Sequence, residues 1–299
     1  MVQILKNLNN EASAQGKEKL SDIIKELERG RLMTPLTHGG DTSCVEIGHN
    51  DTSVYVDMGS GFRNVGTEAI QRGQKEFHIF LTHMHWDHVI GMPFFRPVFA
   101  PGHSLHLYHV HKDSPEFVKV NFNGVNFPIL WNDLGSDIHF HKIDPYETVK
   151  VGDMSVTPFT LDHPGHSYGY RMEADGKSIV IGFDSEYIRM KPEDLGKDLA
   201  YYQNLDLLIF DGQYSEDELK ERKGWGHSTP TVGTELALRE GIKNVAFTHH
   251  DPWSDREKLE KMRLTAEDYK NQNLPNHKHW AGTTGPNLIY AYDHLRIDV

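Results

Sequence analysis

At residues 77–88 the chain reads Phe77-His78-Ile79-Phe80-Leu81-Thr82-His83-Met84-His85-Trp86-Asp87-His88. It begins as a short apolar run of the strand type and ends in four metal-ligand side chains. Imidazole and carboxylate groups bind Zn²⁺ and related divalent ions. His83 and His85 share a face while the chain is extended, whereas Asp87 and His88 follow a turn and face a second point. The stretch therefore predicts two neighbouring metal ions, with a histidine-rich surface loop as the alternative.

The composition limits the class of protein. With 299 residues, of which 37% are hydrophobic and 25% charged, the chain is long enough to bury a sizeable core. Its single cysteine, Cys44, excludes an internal disulfide framework and fits a reducing cytoplasm. No apolar run has the length of a membrane span, and the amino terminus lacks a signal-peptide core. We therefore expect a cytoplasmic protein with no membrane partner.

The formal net charge of −12 disfavours broad contact with a phosphate backbone. We therefore do not expect nucleic acid as a partner. A small anionic substrate stays compatible with this charge, because bound metal ions dominate the local field of a site.

The amino-terminal 30 residues differ from the rest of the chain. Leu20, Ile23, Ile24 and Leu27 fall on one helical face, and Gly30 is suited to end that helix. We expect a polar helical extension over residues 1–30, followed by a single domain over residues 31–299. The extension is expected to pack on the domain, to pair with another subunit in a homo-oligomer, or to connect to an upstream regulatory module.

From Gly39 onward the pattern predicts strands and turns. The clearest hairpin joins 169–173 to 178–181 across Asp175-Gly176, a pair that suits a tight hairpin turn. Helices are predicted after Ser228-Thr229-Pro230 and after a capping pattern that begins at Ser254. The alternation of residues 295, 297 and 299 predicts a last strand. Together these elements predict two sheets flanked by helices within one domain.

Four more strand ends carry ligand-type residues. They are Asp162-His163, Asp184, Asp211 and His249-His250. Taken alone, each of these histidines is better explained as an ordinary hydrogen-bonded side chain. Their common placement directly after an apolar strand favours a shared site.

The segment Thr82-His83-Met84-His85-Trp86-Asp87-His88 resembles the signature of the metallo-β-lactamase superfamily. The later residues follow the order of that superfamily, with His163 before Gly169-Tyr170, then Asp184 and His249. Patterns at 39–46, 88–95, 224–229 and 248–252 resemble the phosphodiesterase-like branch, which includes phosphoribosyl cyclic phosphodiesterases and tRNase Z enzymes. The resemblance runs from about Gly39 to residue 299. It implies an α+β/α/β protein with a four-layer αββα sandwich, in which helices flank two mixed sheets.

Residue by residue, the resemblance implies two sets of metal ligands. One ion is held by His83, His85 and His163, the other by Asp87, His88 and His249, and Asp184 bridges the two. His250 is the alternative to His249.

Asp87 and His227 are the residues implied in catalysis, and His227 would contact the phosphate or donate a proton to the leaving group. Asp57 and Asp211 are expected to orient ligand imidazoles.

The implied cofactors are two divalent ions, with zinc preferred over manganese or iron. The implied activity is hydrolysis of a small or cyclic phosphodiester by a hydroxide that bridges the ions. Hydrolysis of a lactone, a thioester or another ester is the alternative on the same scaffold. An electron carrier of the flavodiiron type is disfavoured, because such proteins have a glutamate where this chain has His85. A catalytically silent regulatory module is disfavoured by the complete ligand set.

Overall fold

The computed structural model describes residues 40–299. The predicted extension over residues 1–30 lies outside the described residues, so its helix and its division from the domain stay predictions. Within residues 40–299, no helix combines the length and the apolar character needed to cross a lipid bilayer.

Two mixed sheets form the centre of the described part of the chain. The first consists, in spatial order, of β1 (Val45–His49), β2 (Thr52–Val56), β3 (Glu76–Leu81), β4 (Ser104–His109) and β5 (Asp137–Lys142). The second consists of β6 (Val149–Val151), β7 (Met154–Leu161), β8 (Ser167–Ala174), β9 (Lys177–Gly182), β10 (Leu207–Asp211), β11 (Asn244–Thr248) and β12 (Asn287–Tyr290). Strands β1–β2 and β6 to β9 pair antiparallel. Strands β2 to β5 and β9 to β12 pair parallel.

Helices cover the outer faces of the sheets. They are α1 (Phe62–Gln71), α2 (Ser114–Lys119), α3 (Pro192–Leu195), α4 (Leu199–Tyr202), α5 (Glu216–Glu221), α6 (Pro230–Glu240) and α7 (Arg256–Asn273). Short 3₁₀ helices lie at Trp86–His88, Met92–Phe94, Arg96–Phe99, Trp131–Asp133, Gly196–Asp198, Leu274–Asn276 and Lys278–Trp280. Helix α6 begins where predicted, because the Thr229 hydroxyl accepts a hydrogen bond from the Val232 N–H and proline follows the cap.

Three apolar clusters separate four layers. The side chains of β3 alternate, so that Phe77 and Ile79 pack beneath α1 while Phe80 faces the second sheet. The middle cluster fills the space between the sheets, and the third lies beneath α6, where Leu236 contacts residues such as Phe247. This order of helix, sheet, sheet and helix confirms the predicted αββα sandwich with two mixed sheets.

Two local predictions were wrong. No strand forms over 295–299, and the last described strand is instead β12, which pairs parallel with β11. Leu295, Ile297 and Val299 are only partly covered, so their alternation does not mark a buried face. Helix α7 is capped by Asp255 rather than by Ser254, because the Asp255 carboxylate accepts from the Lys258 N–H.

Candidate metal centre

Six strands bring their carboxyl ends to one edge of the sandwich. In the first sheet β2 and β3 run parallel and end before Asp57 and His83. In the second, β9, β10 and β11 run parallel, and β7 has the same direction because it is separated from β9 by two antiparallel pairings. Every strand end that the sequence singled out therefore lies at this edge, where open α/β sheets build their sites.

The chain turns sharply at three of these strand ends. Asp57, Asp184 and His249 adopt left-handed backbone conformations, with φ values of 62°, 58° and 57°. Such a conformation costs a residue other than glycine roughly 1–2 kcal/mol. Strained backbone at three converging strand ends is typical of a functional site. The side chains of Asp184 and His249 join the groups of ligand atoms, and that of Asp57 contacts His88 behind them.

The first group of converging ligand atoms belongs to His83, His85, His163 and Asp184, which all lie within 4.8 Å of one another. The Nε2 atom of His163 is 3.3 Å from Nδ1 of His85. The Nε2 atom of His83 is 3.6 Å from a carboxylate oxygen of Asp184. These are the residues implied to hold the first ion.

The second group belongs to Asp87, His88, Asp184 and His249 and has the same spread. The Nε2 atom of His88 is 3.3 Å from Asp87 and 3.3 Å from Asp184. The Nε2 atom of His249 is 3.2 Å from Asp87 and 3.1 Å from the second oxygen of Asp184. Asp184 is therefore the member that both groups share. His249 rather than His250 lies in the cluster, since His250 contacts the Ala291 carbonyl oxygen at 3.1 Å.

The donor set fits divalent metal ions. The Nε2 atoms of His83 and His88 are buried, and the carboxylate oxygens that lie 3.3–3.6 Å from them do not form hydrogen bonds with them. A buried polar atom without a partner normally costs about 1–3 kcal/mol, so its presence calls for an explanation. An ion at each group would accept these lone pairs and balance the carboxylates of Asp87 and Asp184.

The electrostatics of the cluster also suit a cation site. Burial lowers the pKa of His83 well below its ordinary value, which keeps a lone pair available. Burial opposes the ionisation of Asp184, but His249 and His88 outweigh it and hold the pKa of this carboxyl well below its usual range. Burial also opposes the protonation of His249, yet Asp184 and Asp87 raise the pKa of His249 to about 9. An ion bound at His249 would take the place of the proton on its imidazole.

The loop that carries four of the ligands is fixed to the turn after β2. The Asp57 carboxylate lies 2.6 Å from Nδ1 of His88 and also accepts hydrogen bonds from the backbone and hydroxyl of Thr82. Such a carboxylate orients the imidazole, so that Nε2 would be the atom to hold an ion at the second group. The backbones approach so closely that a side chain at Gly91 would place its Cβ 1.9 Å from the Gly59 carbonyl oxygen.

His227 lies beside the metal-ligand cluster. Its ring is 5.1 Å from that of His249, and its Nδ1 lies 2.8 Å from the Asp211 carboxylate. Asp211 also accepts from the backbone N–H of Asp184. Asp211 therefore orients His227 and the Asp184 backbone, whereas the sequence predicted that it would orient a ligand imidazole.

Two supporting contacts were missed from the sequence. The Thr42 hydroxyl donates to the Asp87 carbonyl oxygen at 2.6 Å, and the Gly226 carbonyl lies 2.9 Å from Nδ1 of His163. Gly226 has a φ of 85°, and a Cβ there would lie 2.2 Å from His163. Both residues belong to motifs that carry the family resemblance, which was the available signal, but a sequence pattern does not reveal which ligand each supports.

The family profile described as "Beta-lactamase superfamily domain" matches residues 52–250, about two-thirds of the chain. The protein belongs to the beta-lactamase superfamily. The match includes every residue of the cluster. The predicted enzyme class, a metal-dependent hydrolase, is confirmed at the level of this family.

Two curated relatives carry the name of ribonucleases. Ribonuclease BN of Cronobacter sakazakii is 23% identical over 263 residues, covering 71% of this chain and 82% of the relative. Ribonuclease Z of Streptococcus pneumoniae is 24% identical over 241 residues, covering 64% of this chain and 77% of the relative.

Two solved structures share the fold. The metallo-β-lactamase fold protein YhfI of Bacillus subtilis is 19% identical, with a TM-score of 0.61 over 85% of this chain and 90% of that protein. Zn²⁺-bound PqqB of Methylobacterium extorquens is 18% identical, with a TM-score of 0.61 over 92% of this chain and 91% of that protein.

The expectation that nucleic acid is not a partner was wrong. It rested on the net charge of the whole chain, whereas relatives that span most of its length are named ribonucleases. The physical reason is that the average charge says little about a site, where the field is set by nearby groups and bound ions.

Proposed function

We propose that the protein is a phosphodiesterase that works with two divalent metal ions. His83, His85 and His163 would hold one ion, Asp87, His88 and His249 the other, and Asp184 both. The observation that carries this proposal is the pair of ligand groups that share the buried Asp184 carboxylate. Zinc is the preferred ion because imidazole ligands suit it, and manganese and iron are the alternatives.

The two ions would activate a water molecule and neutralise charge on the phosphate. The residues of the chain supply the remaining functions. Asp184 would bind both ions and so hold the two ligand groups next to each other. Asp87 would contribute to catalysis through the ion that it helps to hold. His227 is held at Nδ1 by Asp211, so Nε2 is the atom that can meet the substrate. As the bond from phosphorus to the leaving oxygen breaks, Nε2 gives its proton to that oxygen.

The substrate is proposed as a phosphodiester, with two classes to compare. The sequence predicted a small or cyclic phosphodiester, and the names of the relatives add the phosphodiester bond of an RNA. A lactone or thioester is the second reaction class. A phosphodiester is favoured over the second class because relatives that span most of this chain are named ribonucleases.

The test is a substrate panel on zinc-loaded protein whose metal content has been measured. The panel contains bis(p-nitrophenyl) phosphate, a 2′,3′-cyclic nucleotide, an RNA with a 3′ extension, a lactone and a β-lactam. We expect hydrolysis of phosphodiesters and loss of this activity in Asp184→Asn. Hydrolysis of the lactone alone would overturn the proposal in favour of the second reaction class. A stoichiometry at or below one ion per chain after supplementation would overturn the two-ion site.

We also propose that residues 1–30 serve assembly or regulation. Residues 31–299 would form the hydrolase domain, and the protein would work in the cytoplasm. The apolar face of the predicted helix motivates the first statement. A chain without residues 1–30 should keep its metal content and activity while its oligomeric mass or its response to an effector changes. Loss of metal from that chain would instead make the segment a support of the site.

A further inference from the structure

The tryptophans of this protein divide into two groups. Trp131 stacks on Phe140 with a centroid distance of 5.8 Å, and Trp280 donates its indole N–H to the Leu238 carbonyl at 3.0 Å. The other three, Trp86, Trp225 and Trp253, expose 75%, 62% and 93% of their surface. Exposure of a large aromatic ring is unfavourable in water, so three such rings in one region indicate a binding surface.

All three exposed tryptophans belong to loops of the metal-ligand cluster, and we call them the tryptophan rim. Trp86 stands between His85 and Asp87, and Trp225 precedes Gly226 and His227. Trp253 follows His249 by four residues. Each ring is therefore carried by a short segment that supplies a ligand of the cluster or contacts one.

Contacts between these loops bring the rim together around the cluster. His85 contacts His163 at 3.3 Å, and His163 contacts the carbonyl of Gly226, next to Trp225. On the other side, the Asp87 carboxylate contacts His249 at 3.2 Å. The loops of Trp86, Trp225 and Trp253 thus meet at the edge where the ligand atoms converge.

A separate bridge links the loops of Trp225 and Trp253. The Arg222 guanidinium lies 5.9 Å from the Trp225 ring centroid and 2.9 Å from the Asp251 carboxylate. The same carboxylate side chain accepts from the backbone N–H of Trp253 at 2.8 Å. This bridge holds the backbones that carry both rings, although the rings themselves stay open to solvent.

We propose that the tryptophan rim stacks on the nucleobase of a base-bearing phosphodiester while its phosphate lies at the metal centre. The inference rests on the proposed function, because it needs the phosphate to be bound at the cluster. Flat aromatic rings on separate loops suit flat bases, and such stacking tolerates any base sequence. The shared ligand chemistry is a nucleobase joined to a phosphodiester, and it has two sources, an RNA end and a small nucleotide.

Binding measured without turnover tests the inference directly. Zinc-loaded protein is titrated with adenosine 5′-monophosphate and with ribose 5-phosphate, which lacks only the base, and tryptophan fluorescence is recorded. We expect quenching and tighter binding for the base-bearing ligand. Alanine at a stacking tryptophan should weaken its binding about 5- to 150-fold, and phenylalanine should restore most of it. Equal affinity for the two ligands would overturn the inference.

Turnover separates the inference from the proposed function. Thymidine 5′-p-nitrophenyl phosphate and methyl p-nitrophenyl phosphate share a leaving group, and only the first carries a base. Trp225→Ala and Trp253→Ala should raise KM for the first substrate far more than for the second. Leu264→Ala, which changes an exposed residue of α7, is the matched control and should change neither. Equal effects on both substrates overturn the inference and leave the phosphodiesterase standing, whereas no turnover of either substrate counts against the phosphodiesterase.

The number of tryptophans that contribute to binding distinguishes an RNA end from a small nucleotide as the ligand. A small nucleotide should depend on Trp225 and Trp253, whose loops are linked through Arg222 and Asp251, while a single-stranded oligonucleotide should lose affinity with each of the three. Metal content is measured in Trp86→Phe and Trp86→Ala, because this residue lies between two ligands. A change of oligomeric mass in the variants, with base affinity intact, would make the rim a protein-docking surface and overturn the inference.

Discussion

Two histidine clusters lie along β3 and the loop that follows it, and they differ in the carboxylates around them. The first is the metal-ligand cluster that begins at His83. The second, which we call the imidazole row, is formed by His78, His106 and His139, which are paired in register across β3, β4 and β5. Neighbouring rings of the row stack with centroid distances of 5.0 Å. His141 belongs to the same cluster, since its Nε2 lies 3.0 Å from Nδ1 of His106.

The two clusters differ in their carboxylates. Among residues 40–299, the groups of three or more mutually close ligand atoms all include the buried Asp184. The imidazole row has at its margin Glu76, which is largely exposed and lies 3.3 Å from His106 and 3.4 Å from His78. Burial lowers the pKa of His78. Glu76 offsets this lowering only in part, and His106 lowers the pKa further. A group of histidines therefore becomes a candidate ion site when buried carboxylates converge with it, and otherwise its rings satisfy one another.

The largest expected effect follows from removal of the shared carboxylate. Asp184→Ala should reduce phosphodiester hydrolysis by roughly 10³-fold or more, because several kcal/mol of charge stabilisation disappears with the ions. Elemental analysis and turnover of the purified variant measure this. His106→Ala in the imidazole row is the matched control and should keep both metal content and turnover. Near wild-type turnover in Asp184→Ala would remove it as the bridging residue.

His227 should matter for the reaction rather than for the ions. His227→Ala should keep both ions and lose roughly 10²–10⁴ in kcat for an alkoxide leaving group. For p-nitrophenolate, which needs little protonation, the loss should be much smaller. An equal loss for both leaving groups would make His227 a phosphate-binding residue only. Loss of an ion would overturn the ligand assignment.

The next effect concerns Asp57, a buried carboxylate that contacts the ligand imidazole of His88. Asp57→Asn should weaken metal affinity about 10- to 100-fold, because His88 loses the charged group that orients it. Competition with a chelator measures this affinity. Glu76→Gln makes the same chemical change beside the imidazole row and should leave it unaltered. Equal chelator sensitivity in the two variants would contradict the comparison.

The smallest effect concerns acid stability. The pKa values of His78, His106 and His141 are lowered, mainly by burial. The unfolded chain therefore binds protons first as the pH falls below about 6.5, so the folded state loses stability there. His106→Gln should narrow the difference in Tm between pH 7.5 and pH 5.5 by a few degrees, measured against wild-type protein. An unchanged difference would show that the row does not contribute to acid sensitivity.

Much of the fold and of the candidate site could be predicted from the sequence. Strand β3, the hairpin of β8 and β9, and the start of α6 follow local rules of periodicity, turn chemistry and capping, and they formed as predicted. The strand over 295–299 failed because alternation shows only which residues could share a face, and no partner strand lies there. The net charge misled for a similar reason, since it averages over the chain.

The sequence by itself determined the chemistry of the ends of the strands. It placed imidazoles and carboxylates directly after apolar runs, because such patterns depend on neighbours within a few residues. Only the tertiary structure decided which of them meet. His249 reaches Asp87 across 162 positions, and the Asp211 carboxylate reaches His227 rather than a ligand imidazole, because parallel strand register fixes where each side chain arrives. Exposure was decided in the same way, since identical indole rings are partly covered at Trp131 and open at Trp253 according to which strands and loops pack against them.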